Sequence, residues 1–206
     1  MEEWVNALIS KEPFSFSRWG DGEWNCIFGV EGWNCDDHIY YKDMGERLLD
    51  VLLSEPEYYL GEHAMAMRLM GDKIRQAIAG LSLNWVNADT LHLKSIDGTI
   101  KEYIDIWKTR DVVLVGPQHL KKLDLFPFRF IEIPSKNCWL EYESILEEIK
   151  KEIWHDTVVL FCASMMANVL IDDLHGHCTL IDAGSLFDPY VGIFSRSHHK
   201  YVKLKI

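Results

Sequence analysis

Long hydrophobic runs are missing from this sequence of 206 residues. No apolar stretch approaches the roughly 20 residues that a helix needs to cross a lipid bilayer. The first four residues, Met-Glu-Glu-Trp, are acidic and lack the basic segment that opens a signal peptide. We therefore expect a cytoplasmic protein without a membrane-spanning helix.

Cysteine is scarce and irregularly spaced. The chain has five cysteines, an odd number, and no Cys-x-x-Cys pair. Free thiols are therefore expected, and a disulfide framework or a zinc site is not. The nine histidines are scattered, with neither a His-x-x-x-His nor a His-Glu-x-x-His spacing. This pattern disfavours a metal bound by histidines.

Three common catalytic signatures are also absent. The sequence contains no Gly-x-x-x-x-Gly-Lys-Ser/Thr loop, no Gly-x-Gly-x-x-Gly fingerprint and no Gly-x-Ser-x-Gly elbow. These absences argue against ATP-driven phosphoryl transfer, against a dinucleotide-dependent oxidoreductase and against a serine hydrolase.

Basic residues are in the minority. The chain has 21 basic and 32 acidic residues and a formal net charge of −11, which would repel a nucleic-acid backbone. Broad nucleic-acid binding is therefore disfavoured. A local basic groove would reopen that possibility, and its candidate residues are Lys121, Lys122, Arg129 and Lys136.

Alternating strand and helix signals run through most of the chain. Its composition, 48% hydrophobic and 26% charged, is ordinary for a globular protein, and we expect one domain over residues 1–206. Strands are predicted at residues 14–17, 58–61, 112–115, 128–133, 157–161 and 178–181, and helices at residues 42–54, 72–81, 98–107, 139–154 and 165–174. This rhythm predicts an α/β protein, with a mostly parallel sheet and helices on both faces.

In open parallel sheets, ligands bind beyond the carboxyl ends of the strands. Five loops rich in glycine, proline or polar residues occur near the ends of predicted strands. They are residues 20–23, 116–117, 134–137, 163–164 and 182–185. We expect these loops to share one site.

Residues 16–23, Phe-Ser-Arg-Trp-Gly-Asp-Gly-Glu, form the most informative segment. Asp21 and Glu23 flank a glycine, so a tight turn there would direct both carboxylates at one hard cation. Arg18 is close enough in sequence to bind an anion such as a phosphate. The alternative is an ordinary strand-to-helix turn, in which an Asp caps the helix and a Glu lies in its first turn.

Polar residues after later strands are further candidates for the same site. Ser164 precedes a predicted helix, where its hydroxyl would either bind a phosphate oxygen or cap the helix. Asp182 follows a buried strand, and Asp188 lies six residues further on. His119 lies just after Gly116-Pro117.

The eight tryptophans are a large number for a chain of this length. Several of them lie near the glycine and polar clusters, namely Trp19, Trp24, Trp33 and Trp139. Such rings either stack on a base or a sugar or belong to the core and its rim.

Four segments together resemble the GT-D-type glycosyltransferases, a family first described as a domain of unknown function in bacterial adhesin glycosylation. They are residues 17–23, 114–117, 131–137 and 180–185, the last followed by Asp188. The resemblance implies a Rossmann-like α/β fold and a nucleotide-sugar donor such as a UDP-hexose. It also implies a divalent cation, Mn²⁺ or Mg²⁺, bound through Asp21-Gly22-Glu23.

Roles follow for the residues of the matching segments and of the loops near them. Asp21 and Glu23 are the metal candidates, and Glu23, Asp182 and Asp188 are the catalytic candidates. If the anomeric centre is inverted, Asp182 or Asp188 takes the proton of the acceptor hydroxyl. The substrate-binding candidates are Arg18, Trp19, Gly20, Gly22, Gly116, Pro117, His119, Asn137, Ser164, Gly184 and Ser185.

The sequence leaves the acceptor and two other functions open. A glycan or a glycoprotein is expected as acceptor ahead of a modified DNA base, because the chain is acidic. A metal-dependent nucleotide phosphohydrolase would use the same acids. A noncatalytic nucleotide-sugar binding module would not need both acids of the motif. The oligomeric state is not predicted.

Overall fold

A computed structural model describes residues 3–204, so residues 1, 2, 205 and 206 of the predicted domain lie outside the described part. The strands are β1 Ser15–Trp19, β2 Tyr59–Glu62, β3 Trp85–Asn87, β4 Asp111–Pro117, β5 Arg129–Ile133, β6 Thr157–Phe161 and β7 Thr179–Asp182. The α-helices are α1 Glu3–Ser10, α2 Asp21–Ile27, α3 Lys42–Leu53, α4 Ala64–Ala77, α5 Thr90–Asp97, α6 Lys101–Trp107, α7 Tyr142–Glu152 and α8 Met166–Leu174. None of these helices has the length and apolar character needed to cross a membrane.

The seven strands form one parallel sheet in the order β3-β2-β1-β7-β6-β4-β5. The predicted α/β fold with a parallel sheet is confirmed. The order 3-2-1 is that of a Rossmann half, but β6 and β7 lie between β1 and β4. The strand order therefore reverses between β1 and β7, and a crevice at the carboxyl ends of these two strands is the expected place for a ligand.

Helices cover both faces of the sheet. One core lies under α2, α3, α4, α7 and α8, and the other lies under α1, α5 and α6. Strand β4 serves both cores, because successive side chains in a strand point to opposite faces. Val113 and Val115 belong to the first core, and Val112 and Leu114 belong to the second. A strand buried on both faces has to be apolar throughout, which explains the uninterrupted run of this segment.

Some boundaries differ from the predicted ones. The predicted helix at residues 72–81 is the later part of α4, which begins at Ala64. Its start was missed because His63 is the N-cap and accepts a hydrogen bond from Met65 N–H at 3.3 Å, a residue type outside the usual capping set. The predicted helix at residues 139–154 consists of a 3-10 helix, Cys138–Glu141, followed by α7.

Helix α2 is held in place by a close contact with α3. A Cβ at Gly45 would lie 2.4 Å from the carbonyl oxygen of Cys26, so only glycine lets the two helices approach this closely. Trp24 on α2 is also buried in the core. These contacts fix the orientation of α2 and hence of its acidic first turn.

Candidate functional site

A cavity of about 510 Å³ lies at the carboxyl edge of the sheet. Every strand contributes to its wall a residue that lies within two positions of the strand's end, and these are Gly20, His63, Asp89, Pro117, Ser135, Cys162 and Asp182. The five loops that the sequence predicts to meet each contribute at least one lining residue. A volume of this size is typical of sites for small ligands.

Strand β1 leads directly into the acidic first turn of α2. Carboxylates at Asp21 and Glu23 stabilise this turn, because they offset the positive partial charge of the helix N-terminus. Glu23 Oε2 also accepts a hydrogen bond of 2.7 Å from Gly20 N–H. Both acids nevertheless line the cavity. The expected tight turn around Gly22 is corrected, since Gly22 lies inside the helix.

Asp182, at the end of β7, is an acidic residue near enough to Glu23 to affect its pKa. Burial raises the pKa of Glu23 to about 7, and the charge of Asp182 adds to the rise. Burial likewise raises the pKa of Asp182 to about 6. Asp182 accepts backbone N–H groups through both oxygens, from Arg18 at 3.2 Å and from Gly184 at 2.9 Å. A cation bound beside these carboxyl groups would favour the ionisation of both.

Arg18 projects from the end of β1 between two backbone segments. Its Nε donates to the carbonyl of Ala88 at 2.9 Å, and its Nη2 lies 3.5 Å from Asp89 Oδ1. Its Nη1 lies against Gly184 and has no hydrogen-bond partner within residues 3–204. The guanidinium is thereby positioned while N–H groups remain for an anion.

His119 and Asp188 meet at another part of the cavity wall. His119 lies in the 3-10 helix Gln118–Lys122 that follows β4, and Asp188 begins the 3-10 helix Asp188–Val191 that follows β7. His119 Nε2 lies 3.0 Å from Asp188 Oδ1. Both residues line the cavity, as do the predicted candidates Pro117, Gly184 and Ser185.

Three imidazoles beside Arg18 were missed by sequence reasoning. His63, His92 and His198 line the cavity, and the ring centroids of His92 and His198 lie 5.4 Å apart. Burial and the charges of Arg18 and of nearby histidines hold the pKa of His92 well below its usual range. Its Nδ1 has no hydrogen-bond partner in the described part of the chain. Of these three residues, only His63 could have been found from the sequence, because it lies just after the predicted strand that became β2.

A loop between α2 and α3 forms another flank of the cavity. Asn34 Nδ2 donates to the hydroxyl of Ser164 at 2.8 Å. Asp36 forms an ion pair with Arg196 from the C-terminal segment. Ser164 is thus a lining residue whose hydroxyl bonds a side chain, and it is not the N-cap of α8, a position that Met165 occupies.

Three of the predicted substrate-binding residues lie outside the cavity wall and are corrected. Trp19 is 0% exposed, and its Nε1 donates to Ser17 Oγ at 2.9 Å. Gly116 is buried against Leu120. Asn137 accepts a hydrogen bond from the backbone N–H of Ile39 at 2.9 Å.

The tryptophans do not provide a stacking surface in this cavity. Trp24 belongs to the core, Trp33 is 66% exposed, and Trp139 Nε1 donates to Asp43 at 3.0 Å. Among the described residues that line the cavity there is no Trp, Tyr or Phe. The aromatic rings that these residues offer to a ligand are therefore imidazoles, and Arg18 and Arg196 add planar cations.

Comparison with solved structures identifies the fold. A structure of domain of unknown function 1792 superposes with a TM-score of 0.74 over 91% of this chain and 78% of that chain, at 18% identity. This chain has the fold of domain 1792. A glycosyltransferase with domain 1792 from Streptococcus sanguinis matches with a TM-score of 0.71 over 90% of this chain and 80% of its own, at 17% identity.

A further domain 1792 structure, described as having a distinct glycosyltransferase fold, matches with a TM-score of 0.70 over 91% of this chain and 78% of its own, at 19% identity. No protein-family model and no curated protein matches the sequence. At identities of 17–19%, the likeness is one of fold.

Proposed function

We propose that this chain is a metal-dependent glycosyltransferase that moves a sugar from a nucleotide-sugar donor, a UDP-sugar, to a hydroxyl acceptor. The observation that carries the proposal is the meeting of Glu23, Asp182 and Arg18 in the crevice between β1 and β7. Carboxylates beside an anion-binding guanidinium suit a cation–diphosphate pair. The shared fold with a protein described as a glycosyltransferase supports the same function.

The acidic residues fit a divalent cation that also binds the donor. Asp21 is exposed and makes no hydrogen bond through its side chain within residues 3–204, and the Glu23 carboxyl group lines the cavity beside it. Over the same range, no group of three His, Cys, Asp or Glu side chains is arranged to hold a metal. Mg²⁺ commonly binds through one or two carboxylates together with substrate phosphates, so Asp21 and Glu23 would be its ligands from the protein. The bound cation would neutralise charge on the departing diphosphate.

The chain's own groups bind and orient the donor. Arg18 offers N–H groups to phosphate oxygens, and its position is fixed by Ala88, Asp89 and Gly184. Asp182 accepts hydrogen bonds from the backbone N–H groups of Arg18 and of Gly184, the residue packed against that guanidinium. These contacts hold the Arg18 guanidinium where its positive charge would stabilise the departing diphosphate.

Surface charge favours a glycan or glycoprotein acceptor over a DNA base. Three of the four residues of the predicted basic groove are paired with acids. Lys121 lies 2.5 Å from Glu132, Arg129 lies 2.6 Å from Asp111, and Lys136 lies 2.5 Å from Asp37. Paired cations offer less to a phosphate backbone than unpaired ones.

Calorimetry with UDP and with Mn²⁺, separately and together, tests the donor site. UDP should bind more tightly when Mn²⁺ is present, because each ligand contributes to the site of the other. A mass-spectrometric screen of nucleotide sugars against glycan acceptors then identifies the transfer. Release of phosphate without sugar transfer would indicate a phosphohydrolase, and binding without turnover would indicate a binding module. Either result would contradict the proposal.

A further inference from the structure

The His119–Asp188 pair has the geometry of an oriented imidazole base. The Nε2–H group of His119 donates to Asp188 Oδ1 at 3.0 Å, and Asp188 Oδ2 accepts a hydrogen bond from Ser195 Oγ at 2.8 Å. Both carboxylate oxygens are therefore engaged, and the Asp188 side chain is only 14% exposed. A carboxylate held in this way fixes the tautomer and the direction of the ring that it binds.

The second nitrogen of His119 is the group left for substrate. With Nε2 protonated, Nδ1 carries the lone pair, and it makes no hydrogen bond to another residue of the described part. The His119 side chain is 30% exposed and lines the cavity. It lies in the segment after β4, whereas Arg18 lies in β1 and Glu23 lies in α2, directly after β1. The imidazole and the proposed donor-binding groups are therefore positioned by different strands and line the same cavity.

The two carboxylates predicted as bases are less suited to that task. Asp182 is 5% exposed, and both of its oxygens accept backbone N–H groups. Asp188 has both oxygens engaged by His119 and Ser195. A base must reach the proton that it removes, and His119 is the member of this group with a nitrogen left over.

We propose that His119 takes the proton of the acceptor hydroxyl and that Asp188 is its positioning residue, an inference that rests on the proposed function. The acceptor oxygen forms a bond to the anomeric carbon of the donor sugar while its proton passes to His119 Nδ1. The bond between the anomeric carbon and the diphosphate oxygen breaks, and its electron pair leaves with the nucleoside diphosphate. His119 then returns the proton to water. The anomeric configuration is inverted.

The variant His119→Asn tests the proton transfer. With a UDP-sugar that the wild-type protein uses, turnover to a hydroxyl acceptor should fall by about 100-fold or more, while the Kd for UDP with Mn²⁺ stays within about twofold. Azide is a nucleophile without a proton to remove, so its use as acceptor should restore turnover and yield the glycosyl azide. Undiminished hydroxyl transfer, no rescue by azide, or a product of retained configuration would overturn the inference.

The variant Asp188→Asn tests the positioning role without any turnover. In ¹⁵N-histidine NMR, the share of the Nε2–H tautomer of His119 should fall in this variant, because the carboxylate that accepts from Nε2–H is lost. The charged and titratable groups around the pair are Asp188 itself, Cys162, Arg196 and His199, and all but Asp188 are unchanged in the comparison. An unaltered tautomer ratio would refute the positioning role of Asp188.

His155 and Asp156 supply the matched controls. They also form a His–Asp contact, at 3.5 Å, but they lie at the amino end of β6, away from the cavity. His155→Asn and Asp156→Asn should leave turnover and the His119 tautomer ratio as in the wild type. If the wild-type protein uses no UDP-sugar, the proposed function fails. If it is active and His119→Asn is equally active, only the present inference fails.

Discussion

Arg18 and Gly184 are packed so closely that a Cβ at residue 184 would lie 2.2 Å from Arg18 Nη1. Gly184 has a φ of +52°, and its N–H donates to Asp182, which also accepts from Arg18 N–H. One carboxylate thus joins the two segments, and a missing side chain makes room for the guanidinium. This arrangement links the ends of β1 and β7 in the crevice where the donor is proposed to bind.

Gly184→Ala should weaken UDP binding by about tenfold or more, since it displaces a guanidinium whose hydrogen bonds to a charged ligand are each worth about 1.5–3 kcal/mol. Gly176→Ala is the matched control, because Gly176 also has a positive φ, +85°, but no neighbour within 4 Å of an added Cβ. Both variants should lose roughly 1–2 kcal/mol of stability from backbone strain. Equal UDP affinities in the two variants, measured by calorimetry, would contradict the role of Arg18.

Glu23→Gln should lower metal-dependent turnover by roughly 100-fold, because a carboxylate next to the developing charge is lost as a cation ligand. The Glu23→Gln variant should still fold. Burial raises the pKa of Glu23 to about 7, so above that pH the folded protein bears the cost of a buried charge that glutamine lacks. Stability in urea at pH 8 should therefore be at least that of the wild type.

Glu148→Gln on the exposed side of α7 is the control for Glu23→Gln, and it should leave both turnover and stability unchanged. Wild-type turnover in the Glu23→Gln variant would show that Glu23 has no role in the reaction.

Trp19→Ala should destabilise the protein by about 3–5 kcal/mol, the usual cost of emptying a buried aromatic site. The folded fraction should bind UDP as the wild type does, because Trp19 is buried and does not line the cavity. Trp33→Ala, at a residue that is 66% exposed, should change stability by no more than about 0.5 kcal/mol. A loss of UDP affinity in Trp19→Ala but not in Trp33→Ala would show that Trp19 contributes to UDP binding.

His92 should make the protein less stable in acid. Its pKa in the folded protein is well below the ordinary 6.5, so the unfolded chain binds a proton that the folded protein excludes. The stability present above pH 6.5 is therefore lost as the pH falls below that value. For this one group the slope is at most about 1.4 kcal/mol per pH unit.

Urea unfolding at pH 7.5 and pH 5.0 measures this effect. His92→Gln should lose less stability between the two conditions than the wild-type protein. His155→Gln, at a side chain that is 74% exposed, should lose as much as the wild type does. Identical acid losses in all three proteins would show that His92 is accessible to protons in the folded state.

The sequence alone predicted best those strands and helices whose residues all have the same kind of surroundings, such as strands buried on both faces. Residues 157–161 were predicted as a strand with the observed boundaries, because a run this short, apolar and rich in β-branched residues favours a strand buried on both faces. The start of α4 was not predicted, since an imidazole caps it. At the site, the acidic turn and Asp182 were found from their place after strands. The pairing of Glu23 with Asp182 was not, because the two residues are far apart in the chain and adjacent only through the β1–β7 contact.

By itself, the sequence determined the α/β alternation, the loops that line the cavity and the acidic residues in two of them, since strand ends and turn residues are encoded locally. Only the tertiary structure decided which of these groups meet. The strand order put β7 beside β1 and β6, and so brought Asp182 to Glu23 and placed Trp19 in the core. Contacts of this kind depend on how the helices and strands pack in three dimensions, and no local pattern of residues specifies that packing.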